Sequence, residues 1–116
     1  MATLRRIERI NQLLREEVTK IIDRELEFTE YAMVTITRVI TSRDALHANV
    51  YFSALGTSPE DALAVLEKNI YHIQQGVNRR LRMRPVPKIR FAPDAEEENR
   101  ERVEHALAAA KREQEL

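Results

Sequence analysis

Two prolines two residues apart, Pro85 and Pro87, stand inside the run Gly76–Phe91, which reads GVNRRLRMRPVPKIRF. A residue preceding proline is pushed out of the helical region, and proline cannot donate a hydrogen bond within a sheet. Any helix reaching this run must therefore stop before Pro85, and a strand that holds Pro87 either lies at an edge or has the proline among its first residues. The run also holds Arg79, Arg80, Arg82, Arg84, Lys88 and Arg90 and no acidic side chain. The chain concentrates positive charge where it is forced to change conformation.

That concentration stands out because 19 Lys and Arg balance 19 Asp and Glu over 116 residues. Residues 1–30 carry six cations against seven anions, residues 31–91 nine against four, and residues 92–116 four against eight. The middle is about +5 and the tail about −4, a dipolar molecule hidden in a zero total. The length suits one domain that buries about two-thirds of its unfolded surface. The absence of cysteine removes disulfides and thiolate metal sites and fits a reducing, cytoplasmic setting. With Gly56 and Gly76 the only glycines, phosphate cradles of the GxGxxG, P-loop or GxxG type are excluded. No apolar run reaches the ~18 residues of a membrane span, and no signal-peptide core opens the chain.

Thr3 to Leu26 reads as an amphipathic helix, with Leu4, Ile7, Ile10, Leu14, Val18, Ile21 and Ile22 at three- and four-residue spacing. Arg5, Arg6 and Arg9 oppose the positive end of its dipole. An anionic partner would relieve that conflict; so would pairing with Glu8, Glu16 and Glu17 on a solvated face. After a connector at Phe28–Tyr31, Met33 to Thr41 is rich in β-branched residues and reads as a strand, with a phase break at Arg38–Val39 that predicts a bulge. Thr41–Asp44 makes a turn into a second strand, Ala45 to Ala54, with Leu46, Ala48, Val50 and Phe52 on one face and His47, Asn49, Tyr51 and Ser53 on the other. The pair predicts a hairpin.

Ser58, Pro59 and Asp61 open a second helix as cap, first residue and reciprocal cap. Leu63, Leu66, Ile70, Ile73, Val77 and Leu81 continue it as one apolar stripe. Val86 to Ala92 reads as a third strand, with Ile89 and Phe91 opposite Lys88 and Arg90. Asp94 caps a last helix, Ala95 to about Glu113, whose stripe of Val103, Ala106, Leu107 and Ala110 packs weakly. The order predicts an α+β domain with helices on one face of a small sheet.

These residues resemble the ribosome-binding factor A family over roughly residues 4–107. The resemblance is carried by Arg24-Glu25-Leu26, Val34-Thr35-Ile36-Thr37 and Val39, Ser42-Arg43-Asp44, Ala48, Val50-Tyr51, and Arg82-Met83-Arg84-Pro85-Val86-Pro87 closed by Phe91 and Asp94. It implies a KH-like fold of the second type, α-β-β-α(kinked)-β over residues 1–94, followed by a charged, peripheral C-terminal helix over 95–116. It further implies binding to the small ribosomal subunit (30S) and its 16S rRNA late in maturation, with assistance to 5′-end processing and no nuclease activity. Ribosomal proteins and assembly GTPases become candidate partners, and the free protein is expected to be a monomer. Three positions depart from the family pattern. The Ala-x-Gly kink of the second helix is replaced by Asn69-Ile70-Tyr71, which leaves a kink at Asn69, one at Gly76, or a straight helix. Phe28-Thr29-Glu30 replaces an Asp-Pro-Arg pattern, and the glycine after Asp94 is missing.

Cations that displace condensed counterions bind RNA with salt-sensitive affinity, and arginine adds bidentate phosphate contacts. Arg79, Arg80, Arg82, Arg84, Lys88 and Arg90 are thus the candidate RNA contacts, joined by Arg43 in the turn and by Arg5, Arg6 and Arg9. Cations at a helix C-terminus also stabilise it by ~0.3–1 kcal/mol each, enough to explain one or two of them. Arg79 and Arg82 share one side of a regular helix, whereas Arg80 and Arg84 fall near its apolar stripe. Either the helix ends near Arg82 or the latter pair snorkels from the core edge. Tyr51 is a candidate stacking platform; Phe52, Tyr71 and Phe91 read as core. His47, His72 and His105 are too scattered for a metal site, and no cofactor is implied. Ser42, Arg43 and Asp44 lack an oriented base and read as a turn, not a catalytic trio. A homodimer built on the first and last helices is the alternative in which the arginines only solubilise.

Overall fold

The computed structural model describes residues 3–28 and 32–115, without the side chains of 97–99, 101, 105 and 113–115. Residues 29–31 of the expected connector lie outside the described residues. Helix α1 spans Leu4–Glu25, its start capped by the Thr3 hydroxyl, which accepts from the Arg6 N–H at 3.2 Å. Ile10, Leu14, Val18, Ile21 and Ile22 form its buried face. Each such burial stabilises by about 1.5–3 kcal/mol, so packing and not propensity holds this helix.

Strands β1 (Met33–Thr41) and β2 (His47–Leu55) pair antiparallel, and β3 (Lys88–Pro93) joins β2 in parallel, giving the order β1-β2-β3. A parallel pair needs a crossover connection, and two helices supply it, α2 (Pro59–Lys68) and α3 (Ile70–Arg80). Val34, Ile36, Val39, Ala48, Val50, Phe52, Ile89 and Phe91 are buried in one core with α1, Ala62, Leu66, Ile73 and Val77. The helices cover one sheet face. Asn11 locks α1 to the end of β1, its Oδ1 accepting from the Thr41 N–H at 2.9 Å and hydroxyl at 2.6 Å.

The expected bulge lies at Thr37. Ile36 faces Phe52 and Arg38 faces Tyr51, so Thr37 is the extra residue. This one-residue insertion lets Ile36 and Val39, three apart, both point inward, and it turns Arg38 and Ile40 outward. β3 is an edge strand, with Pro87 immediately before it, as the prolines require.

Several expectations change. The second helix is not one unbroken stripe: it is divided at Asn69, whose backbone sits at φ −104°, ψ 9° and whose side-chain amide donates to the Val65 carbonyl at 2.8 Å. An asparagine that bonds its own preceding turn substitutes for the small-residue kink. Gly76 stays within α3. The second strand begins at His47, not Ala45, because Ala45 adopts positive φ (61°) to close the turn; Leu46 is consequently 46% exposed and leaves the core row. Tyr71 is 75% exposed, because two positions along α3 put it about 200° around the helix from the buried Ile73. β3 starts at Lys88, two residues later than expected, and α4 spans Ala95–Glu115. Its Val103 and Leu107 are 57% and 64% exposed. No helix among the described residues is long and apolar enough to cross a membrane.

Candidate nucleic-acid interface

Helices α1 and α3 run antiparallel, as three contacts establish. His72 Nε2 lies 3.1 Å from Glu25 Oε2, Gly76 sits against Ile21, and Arg80 Nε lies 3.9 Å from Glu17 Oε2. Extending that alignment carries the segment that follows α3 along the first half of α1. Leu81 terminates α3 in an extended conformation (φ −87°, ψ 138°) with its side chain buried. The helix thus ends before Arg82, which resolves the expected crowding of arginines: Arg82 and Arg84 leave along a non-helical segment.

The result is a groove of about 630 Å³ lined by Arg6, Arg9, Ile10, Leu13, Arg80, Leu81, Arg82 and Met83. Its floor is apolar and its rim carries four guanidinium groups drawn from two distant stretches of the sequence. Among the described residues no carboxylate lies within ion-pair distance of Arg6, Arg9 or Arg82. Arg80 is held at the rim by the half-buried Glu17. The positive end of the α1 dipole points to the same place, adding to the field. An anion entering here meets four donors able to make bidentate contacts.

All ten cations singled out from the sequence are exposed, but they do not form one patch. Arg79 lines a different cleft with Lys20, Arg24 and Arg80, where Glu17 and Glu25 offset two of the four cations. Its Nε donates to the Gln75 carbonyl at 3.3 Å. Arg84 folds back, Nη1 donating to the Leu81 and Met83 carbonyls at 2.7 Å each, and lines a separate cleft with Gln74, Asn78, Pro85, Val86 and Lys88. Arg5 is exposed but does not line the groove. Arg43 projects from the β1–β2 turn. There Asp44 Oδ1 accepts from the Ser42 hydroxyl at 2.6 Å and the Leu46 N–H at 3.0 Å, so these residues do make a turn. The Ser42 hydroxyl chiefly, and the Leu46 N–H, hold the Asp44 carboxyl below its ordinary value.

Arg38 was not among the sequence candidates. The bulge places its guanidinium 4.4 Å from the centroid of the Tyr51 ring, within cation–π range. Asp94 holds it there at 3.4 Å and Glu96 at 3.7 Å. Asp94 is buried, bonds the Thr37 hydroxyl and accepts the Glu96 N–H, so it caps α4 and anchors Arg38 together. The phase break at Arg38–Val39 was the available signal that Arg38 faces outward. Among the described residues no cluster of His, Asp and Glu could hold a metal ion; the His105 side chain lies outside them.

Residues 6–107 match the model of the family described as ribosome-binding factor A. The chain is 38% identical to a ribosome-binding factor A of Vibrio campbellii over 77% of this chain and 68% of that protein. It is 32% identical to one from Cupriavidus pinatubonensis over 89% and 80%. The crystal structure of ribosome-binding factor A from Thermus thermophilus superposes with a TM-score of 0.57 at 26% identity, covering 80% of this chain and 97% of that one. A homology model of the Thermus thermophilus factor, fitted into the cryo-electron-microscopy map of a 30S complex, gives 0.53 at 28% identity over 74% and 88%. The helix, three-stranded sheet and divided crossover are thus a KH-like α+β fold, and the chain belongs to the ribosome-binding factor A family.

Proposed function

We propose that this protein is an assembly factor of the small ribosomal subunit that binds 16S rRNA through the groove between α1 and α3. The observation that carries the reading is the convergence of Arg6 and Arg9 with Arg80 and Arg82 around one groove with no acidic lining residue. The names of its relatives, and the 30S complex into which one was fitted, supply the partner. A groove without a glycine loop must contact the phosphate backbone through side chains. Four such contacts give an affinity that falls with salt with a logarithmic slope of about −3. The protein acts by occupying immature subunits late in maturation, which assists processing of the 5′ end of 16S rRNA without cleaving it. The charged α4, residues 95–115, stays peripheral to the 1–94 domain, and ribosomal proteins or assembly GTPases meet it on the subunit.

Converting Arg9, Arg80 and Arg82 together to Glu should abolish cofractionation with free small subunits and leave the circular dichroism unchanged. Undiminished cofractionation would show that the groove is not the contact. The exposure of Val103 and Leu107 on α4 favours a second reading, a homodimer through that helix. Sedimentation separates the two, since a free dimer absent from subunit fractions supports only the second.

A further inference from the structure

The groove leaves Arg38, Lys88 and Arg90 unused, and the register of the sheet brings these three together on the opposite side of the molecule. Arg38 pairs with Tyr51 across β1–β2, and Asn49 and His47 pair with Arg90 and Lys88 across β2–β3. Residues paired across a sheet point to the same face, so Arg38, Tyr51, Asn49, Arg90, His47 and Lys88 share one surface. It is the face the helices do not cover: His47, Asn49, Lys88 and Arg90 are exposed, and Ile40 beside them is 47% exposed. We propose that this open sheet face is a second RNA-binding surface, taking an unpaired stretch of RNA with a base stacked on the Arg38–Tyr51 pair and phosphates on Lys88 and Arg90.

The chemistry of the face selects this ligand. Unpaired bases stack on aromatic rings and on the planes of guanidinium groups, and a shallow sheet admits them where a duplex would present only its backbone. The Arg38 guanidinium is already laid over the Tyr51 ring and fixed by Asp94 and Glu96, while its side chain remains 37% exposed. The stack is therefore built before a base arrives. Arg90 and Lys88 lie two residues apart on one strand, about 6.6 Å along it, so successive phosphates of an extended strand can reach one each. Asn49, between Tyr51 and His47, offers both donor and acceptor to a base edge. Among the described residues Asp94 and Glu96 are the carboxylates ion-paired with Arg38. The inference rests on the reading of the protein as an rRNA binder, and it adds a second contact of different character to the groove.

The test uses the full chain and a labelled single-stranded oligoribonucleotide of about ten nucleotides, within the site sizes that such surfaces cover. Fluorescence anisotropy should find Tyr51→Leu weaker by about 5- to 150-fold, the loss expected for one stacked base. Lys88→Glu with Arg90→Glu should flatten the salt dependence of binding by a logarithmic slope of at least about 1.4. Neither change should weaken binding to an RNA duplex. Tyr51 ring resonances should shift when the strand is titrated into the unmodified protein, a readout that holds even if Tyr51→Leu folds poorly. Unchanged single-strand affinity in the Lys88/Arg90 variant together with unmoved Tyr51 resonances overturns the inference. If small-subunit binding is then still lost in the Arg9/Arg80/Arg82 variant, the proposed function stands without the second surface. If the unmodified protein binds neither single strands nor subunits, both fail.

Discussion

At Gly76 α3 lies close against Ile21 of α1, and replacing the glycine with alanine tests that packing directly. A methyl group there would lie 2.7 Å from Ile21 Cδ1 and 3.5 Å from Ile21 Cγ1. Carbon atoms prefer separations of about 3.5–4.0 Å, so the first contact is too close by about 1 Å. Alanine gains about 1 kcal/mol of helix propensity over glycine, while overpacking costs about 1–3 kcal/mol. The clashing atom is the far end of a side chain that is only 5% exposed, so it can rotate but has little room. Gly76→Ala should therefore be destabilising by a net ~1 kcal/mol. Ile21→Val removes the clashing atom and alone should cost about 0.5–1.5 kcal/mol. In the double variant the new methyl occupies the vacated space, and the two changes should be less harmful together than their sum by ~1 kcal/mol or more. Urea denaturation of the four proteins measures this cycle. Additivity within about 0.5 kcal/mol would refute the close approach, and with it the helix alignment that places Arg9 beside Arg82.

Three further outcomes follow from other contacts. Gln74 holds the outer edge of β3, its Nε2 donating to the Pro87 carbonyl at 3.2 Å and its Oε1 accepting the Ile89 N–H at 2.9 Å. Gln74→Ala leaves those backbone groups without partners and should lower stability by about 1–3 kcal/mol, with early hydrogen exchange at Ile89 as the specific sign. Asn69→Ala removes the amide bond to Val65 and favours a continuous helix; residual dipolar couplings should report a smaller angle between α2 and α3, and an unchanged angle would mean the break has another cause. Asp44 titrates below its ordinary value of 3.8, so its contribution to stability is complete above that value and is lost as pH falls through the lowered one. Ser42→Ala should raise the Asp44 midpoint in a carboxyl-carbon NMR titration and leave stability at pH 7 nearly unaltered, because the group is fully exposed.

Much of the architecture was legible from local rules. The three- and four-residue spacing of Ile10, Leu14, Val18 and Ile21 and the alternation of Ala48, Val50 and Phe52 are periodic signals that burial on one face imposes. Pro85 bars a helix beyond Met83, and α3 stops earlier still, at Arg80; Pro87 stands just ahead of the edge strand β3. The misplacements occurred where a single backbone or side-chain bond overrides a pattern. Ala45 at positive φ delays β2, a choice that leaves no mark in hydrophobic periodicity. At Asn69 the side-chain amide selects a break from the three courses the sequence left open for the second helix.

The sequence by itself determined that this chain is a helix, a hairpin, a crossover and an edge strand, and that its cations gather after the second apolar stripe. Those properties depend on neighbours a few residues away, which the order of side chains specifies. Tertiary structure decided which cations act together. The antiparallel packing of α1 on α3 joins Arg6 and Arg9 to Arg80 and Arg82 across more than seventy positions of chain. The bulge at Thr37 and the parallel register of β3 send Arg38, Lys88 and Arg90 to the other face. A run that reads as one basic patch is divided among the groove, two neighbouring clefts and the open sheet face, because the end of α3 and the sheet separate its members.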